Sequence, residues 1–556
     1  MLLRIIFVKI VIMNHRFSTL ICFLFLVTSL SLSFKASAQP ARPKLVVGLV
    51  IDQMRWDYLY RYSELYGNGG FKRLLREGFA AENTMIPYVP TYTAVGHTCI
   101  YTGSVPAITG IVGNNWYDKT MNKFVYCTDD STVNTVGNTG IAGKMSPANL
   151  WTTTISDELR LSNNFKSKVI GIALKDRGAI LPVGHSANAA YWYDSGKWIT
   201  STHYMSSLPD WVNKFNEKDV AGTYMSTDWN TLLPIDKYDL STADDEPYEN
   251  FIRGEKTVTF PHKLSALGAG DKYESFRTTP FANSFTFDFA KAAIESESLG
   301  KNTVTDFLAV SVSSTDYIGH TFGPNSVEIE DTYLRLDKDI ESFLDYLDTK
   351  VGKGNYTLFL SADHGVAHIP AFLKEHNIPG GIFDEVDVMK DLNNIIEEKL
   401  AIKSAVKSVM NYQVYLNKKN IADHGNTIAE VKQLVIDVLK EKDFIINAVD
   451  LDKLEESSLP SPQKQMMING YNPKRSGDIQ FTFKPGYFDS GKRGTTHGLW
   501  NPYDAHIPCV FFGWGIKPGK TNRETYMTDI APTVAALLHI QMPSGSVGKV
   551  VTELIK

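Results

Sequence analysis

Cysteine is scarce, with four in 556 residues. Cys22 lies in an apolar stretch near the start and lacks the small residues before it that lipid attachment needs. Cys99, Cys127 and Cys509 allow at most one disulfide, whose pairing the sequence leaves open, and their spacings form no zinc cysteine cluster. Cysteine therefore carries no identifiable chemistry here. Long basic runs are also missing. Lys and Arg number 56 against 61 Asp and Glu, for a formal charge of −5, so no nucleic acid polymer is expected as a partner. Beyond the first forty residues no run is apolar for long enough to span a bilayer. Repeats and low-complexity tracts are absent, and 43% hydrophobic content with 12% aromatics indicates a globular chain with a large core.

The start of the chain is of another kind. "MNHRFSTLICFLFLVTSLSLSFKASAQP" has basic His15 and Arg16, an apolar stretch from Phe17 to Phe34, then Ala36-Ser37-Ala38. That pattern predicts a signal peptide over residues 1–38, cut before Gln39, and a periplasmic or secreted mature protein with no stable membrane insertion. An uncleaved membrane anchor is the alternative.

Four apolar runs share a layout. "KLVVGLVIDQ" ends at Asp52, "KVIGIALKDRG" at Lys175 and Arg177, "DFLAVSVSSTDYIGH" at Asp316 and His320, and "TLFLSADHG" at Asp363 and His364. Near-continuous β-branched runs suit strands covered on both faces of a parallel sheet. Between them lie stretches with helical spacing, such as residues 326–349. The alternation predicts an α/β fold, a doubly wound, mostly parallel sheet with helices on both faces. Ligands of such sheets bind beyond the carboxyl ends of the strands. Two stretches interrupt the pattern: a Tyr-, Trp- and Pro-rich excursion over about 184–300, and a small α/β insertion over about 385–485. The simplest organisation is one domain over 39–556 carrying both.

Singly, an Asp-His pair or a lone histidine is more often a packed or capping residue than a ligand. Together Asp52, Asp316, His320, Asp363, His364 and His497 make three carboxylates and three imidazoles, five of them at strand ends. Such a set suits two zinc ions, and two metals suit in-line displacement at phosphorus. A hydroxyl nucleophile is available in "VPTYTAVGHTCIYTG", ahead of a short predicted helix over 94–101. Helix starts favour negative charge. Spacing alone does not rank Thr91, Thr93, Thr98 and Thr102.

These motifs, with "GLVIDQMRWDYL", "GNNWY", "ALKDRGAI" and "RGTTHGLW", resemble the alkaline phosphatase superfamily, most closely the phosphate-irrepressible bacterial alkaline phosphatases. The resemblance covers essentially the whole mature chain. It implies an alkaline-phosphatase-like fold and a dizinc phosphate monoesterase working through a phosphothreonine. Thr93 would be the nucleophile, on the zinc held by Asp52, Asp363 and His364. Asp316, His320 and His497 would hold the second zinc. Asn114, Lys175 and Arg177 would contact the phosphoryl oxygens. Phosphodiesterases of the superfamily lack the Lys-x-Arg element as a group, so its presence favours small monoesters; a nucleotide pyrophosphatase/phosphodiesterase is the alternative. The Cys/Ser-x-Pro-x-Arg motif of sulfatases is absent, since Ile-Tyr-Thr-Gly follows Cys99. His97, His185, His368, His424 and His506 fall outside the matched motifs. A monomer is the expected state.

Overall fold

The computed structural model describes residues 41–489 and 491–555, and Pro43–Lys556 forms one compact unit. The predicted signal peptide lies outside the described residues. The frame is an eleven-stranded sheet. In chain order its strands are β1 Leu45–Ile51, β2 Phe79–Met85, β3 Thr135–Val136, β4 Val169–Ala173, β5 Ala189–Asp194 and β6 Lys197–Ser201. β7 Asp306–Val312, β8 Tyr356–Ser361, β9 His506–Ile507, β10 Cys509–Gly513 and β11 Gly519–Tyr526 complete it. Spatially they run β9-β2-β10-β8-β1-β7-β4-β5-β6-β3, with β11 paired to β2.

The four strands recognised in the sequence lie side by side as β8-β1-β7-β4, all parallel. Every residue in them is buried, which is why their apolar runs show no alternation. Val50 is level with both Ser361 and Ser311, and Ser311 with Ala173. Four carboxyl ends are thereby brought to one line, and the polar residues that follow them are neighbours. The helices that matter to this edge are α1 Thr93–Thr102, α2 Asp176–Val183, α3 Ser314–Phe322 and α4 Val327–Leu347.

The stretch over 184–300 is less of an excursion than its composition suggests. β5 and β6 extend the sheet, and the helix Phe281–Ser296 buries Phe285, Phe287 and Phe289. Trp198 stacks on Phe285 and Phe289 with ring centroids 5.0 and 4.4 Å apart. The aromatic density is core packing, and strands buried on both faces give no period to detect. Residues 385–485 contain an antiparallel sheet in the order Val406–Met410, Gln413–Leu416, Ile479–Phe483, Ile445–Asp450. The helices Glu385–Leu400 and Ile428–Lys440 join it around a separate hydrophobic cluster that includes Leu392, Val435 and Phe481. Cys99, Cys127 and Cys509 are buried free thiols.

Candidate active site at the carboxyl ends of the parallel strands

The four threonines that spacing could not rank differ in what their hydroxyls touch. Thr91 donates to Leu499 O at 2.9 Å, Thr98 to Ala94 O at 2.7 Å and Thr102 to Thr98 O at 2.8 Å. Thr93 Oγ1 instead lies 3.3 Å from His364 Nε2. It opens α1, directly after extended Tyr92, where backbone N–H groups have no helical partner. α1 is rich in β-branched residues and buried along its whole length, so packing rather than propensity holds it. At Gly96 it lies against the segment that follows β8, where a Cβ would stand 2.3 Å from Asp363 O.

Around Thr93 the side chains fall into two groups that share Asp316. Donor atoms of Asp316, His320 and His497 lie within 4.8 Å of one another, as do those of Asp52, Asp316 and His364. Asp316 Oδ1 is 3.2 Å from His320 Nε2 and 3.6 Å from His497 Nε2. His364 Nε2 is 3.5 Å from Asp52 Oδ1 and 3.4 Å from Asp363 Oδ2. Asp363 keeps its other oxygen for the backbone N–H groups of Gln53 and His364, at 3.1 and 3.0 Å. Each imidazole is oriented in the same way. Nδ1 of His320, His364 and His497 lies 2.8, 2.9 and 2.8 Å from the carbonyls of Thr495, Gly365 and Thr91. A ring nitrogen facing a carbonyl carries a proton, so in the neutral ring each Nε2 turns a lone pair to the cluster.

Burial, then the Asp363 charge, pushes Asp52 well above the ordinary carboxylate range, against the pull of Lys175. Burial would raise Asp316 and Asp363 too, but His320 and Lys175 hold the first low, and His364 and His97 the second. Burial lowers His364, and burial with the His364 and His320 neighbours lowers His497 further. Asp52 Oδ1 is buried without a hydrogen bond, whereas Asp52 Oδ2 faces Lys175 Nζ at 2.7 Å and Asp363 Oδ2 faces His97 Nδ1 at 3.3 Å. Buried carboxylates converging with imidazole nitrogens, one carboxylate oxygen having no protein donor, make a donor set that fits divalent cations.

Lys175 is 3% exposed, and its Nζ lies 2.7 Å from Asp52 Oδ2 and 2.5 Å from Asp316 Oδ2. Arg177 Nη1 donates to Tyr126 Oη at 3.1 Å, and that hydroxyl donates to Asp176 Oδ1 at 2.8 Å. Asn114 Oδ1 accepts from Ala94 N–H at 3.0 Å, which leaves its Nδ2 as the free donor beside the start of α1.

A model of the type I phosphodiesterase / nucleotide pyrophosphatase family matches residues 46–506. The chain belongs to that family. Alkaline phosphatase PhoV of Synechococcus elongatus is 55% identical to it over 518 residues, 93% of this chain and 94% of PhoV. Alkaline phosphatase PafA of Elizabethkingia meningoseptica is 52% identical over 525 residues, 94% of this chain and 96% of PafA. A crystal structure of wild-type PafA matches with a TM-score of 0.91, covering 93% of this chain and 100% of that one at 52% identity. A Myroides odoratus protein named a calcium-transporting ATPase is 56% identical over 532 residues, 95% of this chain and 97% of its own. Among the described residues no helix is long and apolar enough to cross a membrane. Within the family the chain stands with the phosphate-irrepressible alkaline phosphatases, and the α/β fold expected from the sequence is the one observed.

The site also contains residues that the motifs did not single out. His97, one turn after Thr93, is fully buried, with Nδ1 3.0 Å from Thr93 O and 3.3 Å from Asp363 Oδ2, and Nε2 2.9 Å from Ser311 Oγ. The i, i+4 spacing from Thr93 was the signal that could have found it. Gln53 stands at a φ of 65° and donates from Nε2 to Asp316 Oδ1 at 2.8 Å and from its backbone to Asp363. A side chain next to Asp52 in a left-handed backbone is rare and costly, and such strain gathers at functional sites. His368 is outside the cluster, between Asn325 Oδ1 at 2.7 Å and Arg55 Nη1 at 3.0 Å.

Proposed function

We propose that this alkaline phosphatase relative is an exported phosphate monoesterase that works through a phosphothreonine on Thr93. The observation that carries it is the Thr93 hydroxyl at 3.3 Å from a site-facing imidazole nitrogen, within a set of three carboxylates and three imidazoles that is buried except at the part-exposed His320. Two zinc ions, one on Asp52, Asp363, His364 and Thr93 and one on Asp316, His320 and His497, would supply Lewis-acid stabilisation of the entering and leaving oxygens. The Thr93 hydroxyl gives up its proton to solvent, its Oγ forms a bond to phosphorus as the ester P–O bond breaks, and the departing alkoxide takes a proton from solvent. Water then attacks the phosphothreonine, frees inorganic phosphate and restores the threonine hydroxyl. The N-terminal end of α1 favours the anionic phosphoryl group, and Ala94 N–H, by donating to Asn114, aims the amide donor at it.

Lys175 and Arg177 meet the remaining phosphoryl oxygens. A monoester dianion offers them more charge than a diester, and each charged hydrogen bond contributes about 1.5–3 kcal/mol. That favours monoesterase over the phosphodiesterase activity in the family's description, as do the two alkaline phosphatases above 50% identity. Because these contacts are to the phosphoryl group, varied organic esters should serve. The chain acts as a monomer in the periplasm or outside the cell, after loss of residues 1–38. The test is Thr93→Ala with a metal count and rates on p-nitrophenyl phosphate and its bis-ester. Turnover of the monoester should fall by at least about 10³-fold while the metal count stays near two. A variant that keeps most of its turnover removes Thr93 as nucleophile, and a wild type tenfold better on the diester removes the monoesterase assignment.

A further inference from the structure

The α/β insertion meets the segment around Asn114 at a tight turn. Asn411 and Tyr412 join the strands Val406–Met410 and Gln413–Leu416, with φ of 58° and 59°. Left-handed backbone suits asparagine but not a bulky aromatic residue, so other contacts must hold Tyr412 there. Its side chain is buried, its N–H donates to Glu385 Oε1 at 2.7 Å, and its hydroxyl donates to His497 O at 3.3 Å. The turn is thus seated against the segment that carries His497. Asn411, held in this way, donates from Nδ2 to Asn115 O at 2.8 Å. The same nitrogen stands 2.8 Å from where a Cβ on Gly113 would be. Gly113 and Asn115 are the two neighbours of Asn114, and the absent side chain at 113 is what lets the amide come so near.

Two other contacts fix Asn114: its Oδ1 accepts from Ala94 N–H at 3.0 Å and its carbonyl accepts from Cys127 N–H at 2.9 Å. Both are made from the core side. We infer that Asn411 is a positioning residue for Asn114, clamping its flanking backbone from the insertion side so that the amide donor stays aimed at the phosphoryl oxygen. This rests on Asn114 acting as that donor. The insertion then has a defined part in the reaction without touching substrate.

Asn411→Asp keeps the left-handed turn and the side-chain shape but sets an acceptor against Asn115 O. Asn411→Gly keeps the turn and removes the amide. Both should lower kcat/KM for p-nitrophenyl phosphate by about 3–30-fold, with metal content and thermal unfolding close to wild type. In an Asn114→Ala background the same changes should cost less than about twofold, since residues acting through one group are not additive. Full activity in both Asn411 variants, or an undiminished loss in the Asn114→Ala background, overturns the inference. An Asn114→Ala enzyme as active as wild type overturns the role of Asn114 itself, and the inference with it.

Discussion

Lys175→Met is the substitution that separates the two ester classes most directly. The side chain is buried, its ammonium within 2.7 Å of Asp52 and 2.5 Å of Asp316. Burial works against its charge, yet these two carboxylates raise its affinity for the proton above the ordinary lysine range. Methionine keeps the length of the chain and deletes the charge. A hydrogen bond to a charged group contributes about 1.5–3 kcal/mol, so kcat/KM for a monoester should fall by roughly 10–100-fold. A diester presents less terminal charge to the same nitrogen and should lose less than about threefold. The assay is kcat/KM on p-nitrophenyl phosphate and on its bis-ester, with zinc measured in each preparation because Lys175 also screens Asp52 and Asp316. Equal losses on the two substrates at unchanged zinc content would refute a role for Lys175 in reading the ester class.

Tyr126→Phe removes the hydroxyl between Asp176 and Arg177 while leaving the ring; kcat/KM for monoesters should drop by about 3–10-fold, and a change smaller than twofold would show that Arg177 is held by other means. His262 is fully buried between Glu255 Oε2 at 2.8 Å and Glu328 Oε1 at 3.2 Å. Burial opposes its charge, but these bonds push it up to about 9, so its stabilisation is complete below about pH 6.5 and is lost as pH rises through 9. The Tm gap between wild type and His262→Gln should accordingly shrink from pH 6 to pH 10, and a gap that widens would reverse the sign. Chelation should abolish turnover, lower Tm and expose the buried carboxylates to protonation; added zinc should restore both, and a Tm indifferent to chelator would count against metals bound to the folded state.

Much of the site was legible because its parts are sequence-local. A buried parallel strand needs β-branched residues on both faces, and its end is marked where Asp52, Lys175, Asp316 or Asp363 follows. His97 and Gln53 were not legible. One is a histidine in an apolar helix, the other an amide beside an aspartate, and each is ordinary until its partners from other strands are known. The stretch over 184–300 divides: residues 225–268 are irregular, as its composition suggests, whereas β5 and β6 are covered on both faces and their aromatic packing looks like loop composition.

By itself the sequence determined the α/β class, the four central strands and the six metal-ligating candidates, since each depends on residue type and short spacing. Apart from what the family resemblance implied, which threonine faces the cluster was decided by tertiary structure, because Thr91, Thr93, Thr98 and Thr102 share one chemistry and differ in where the chain aims them. So was the sharing of Asp316 between the two donor groups, and the reach of Asn411 to the neighbours of Asn114. These are distances between segments hundreds of residues apart, and no local pattern encodes them.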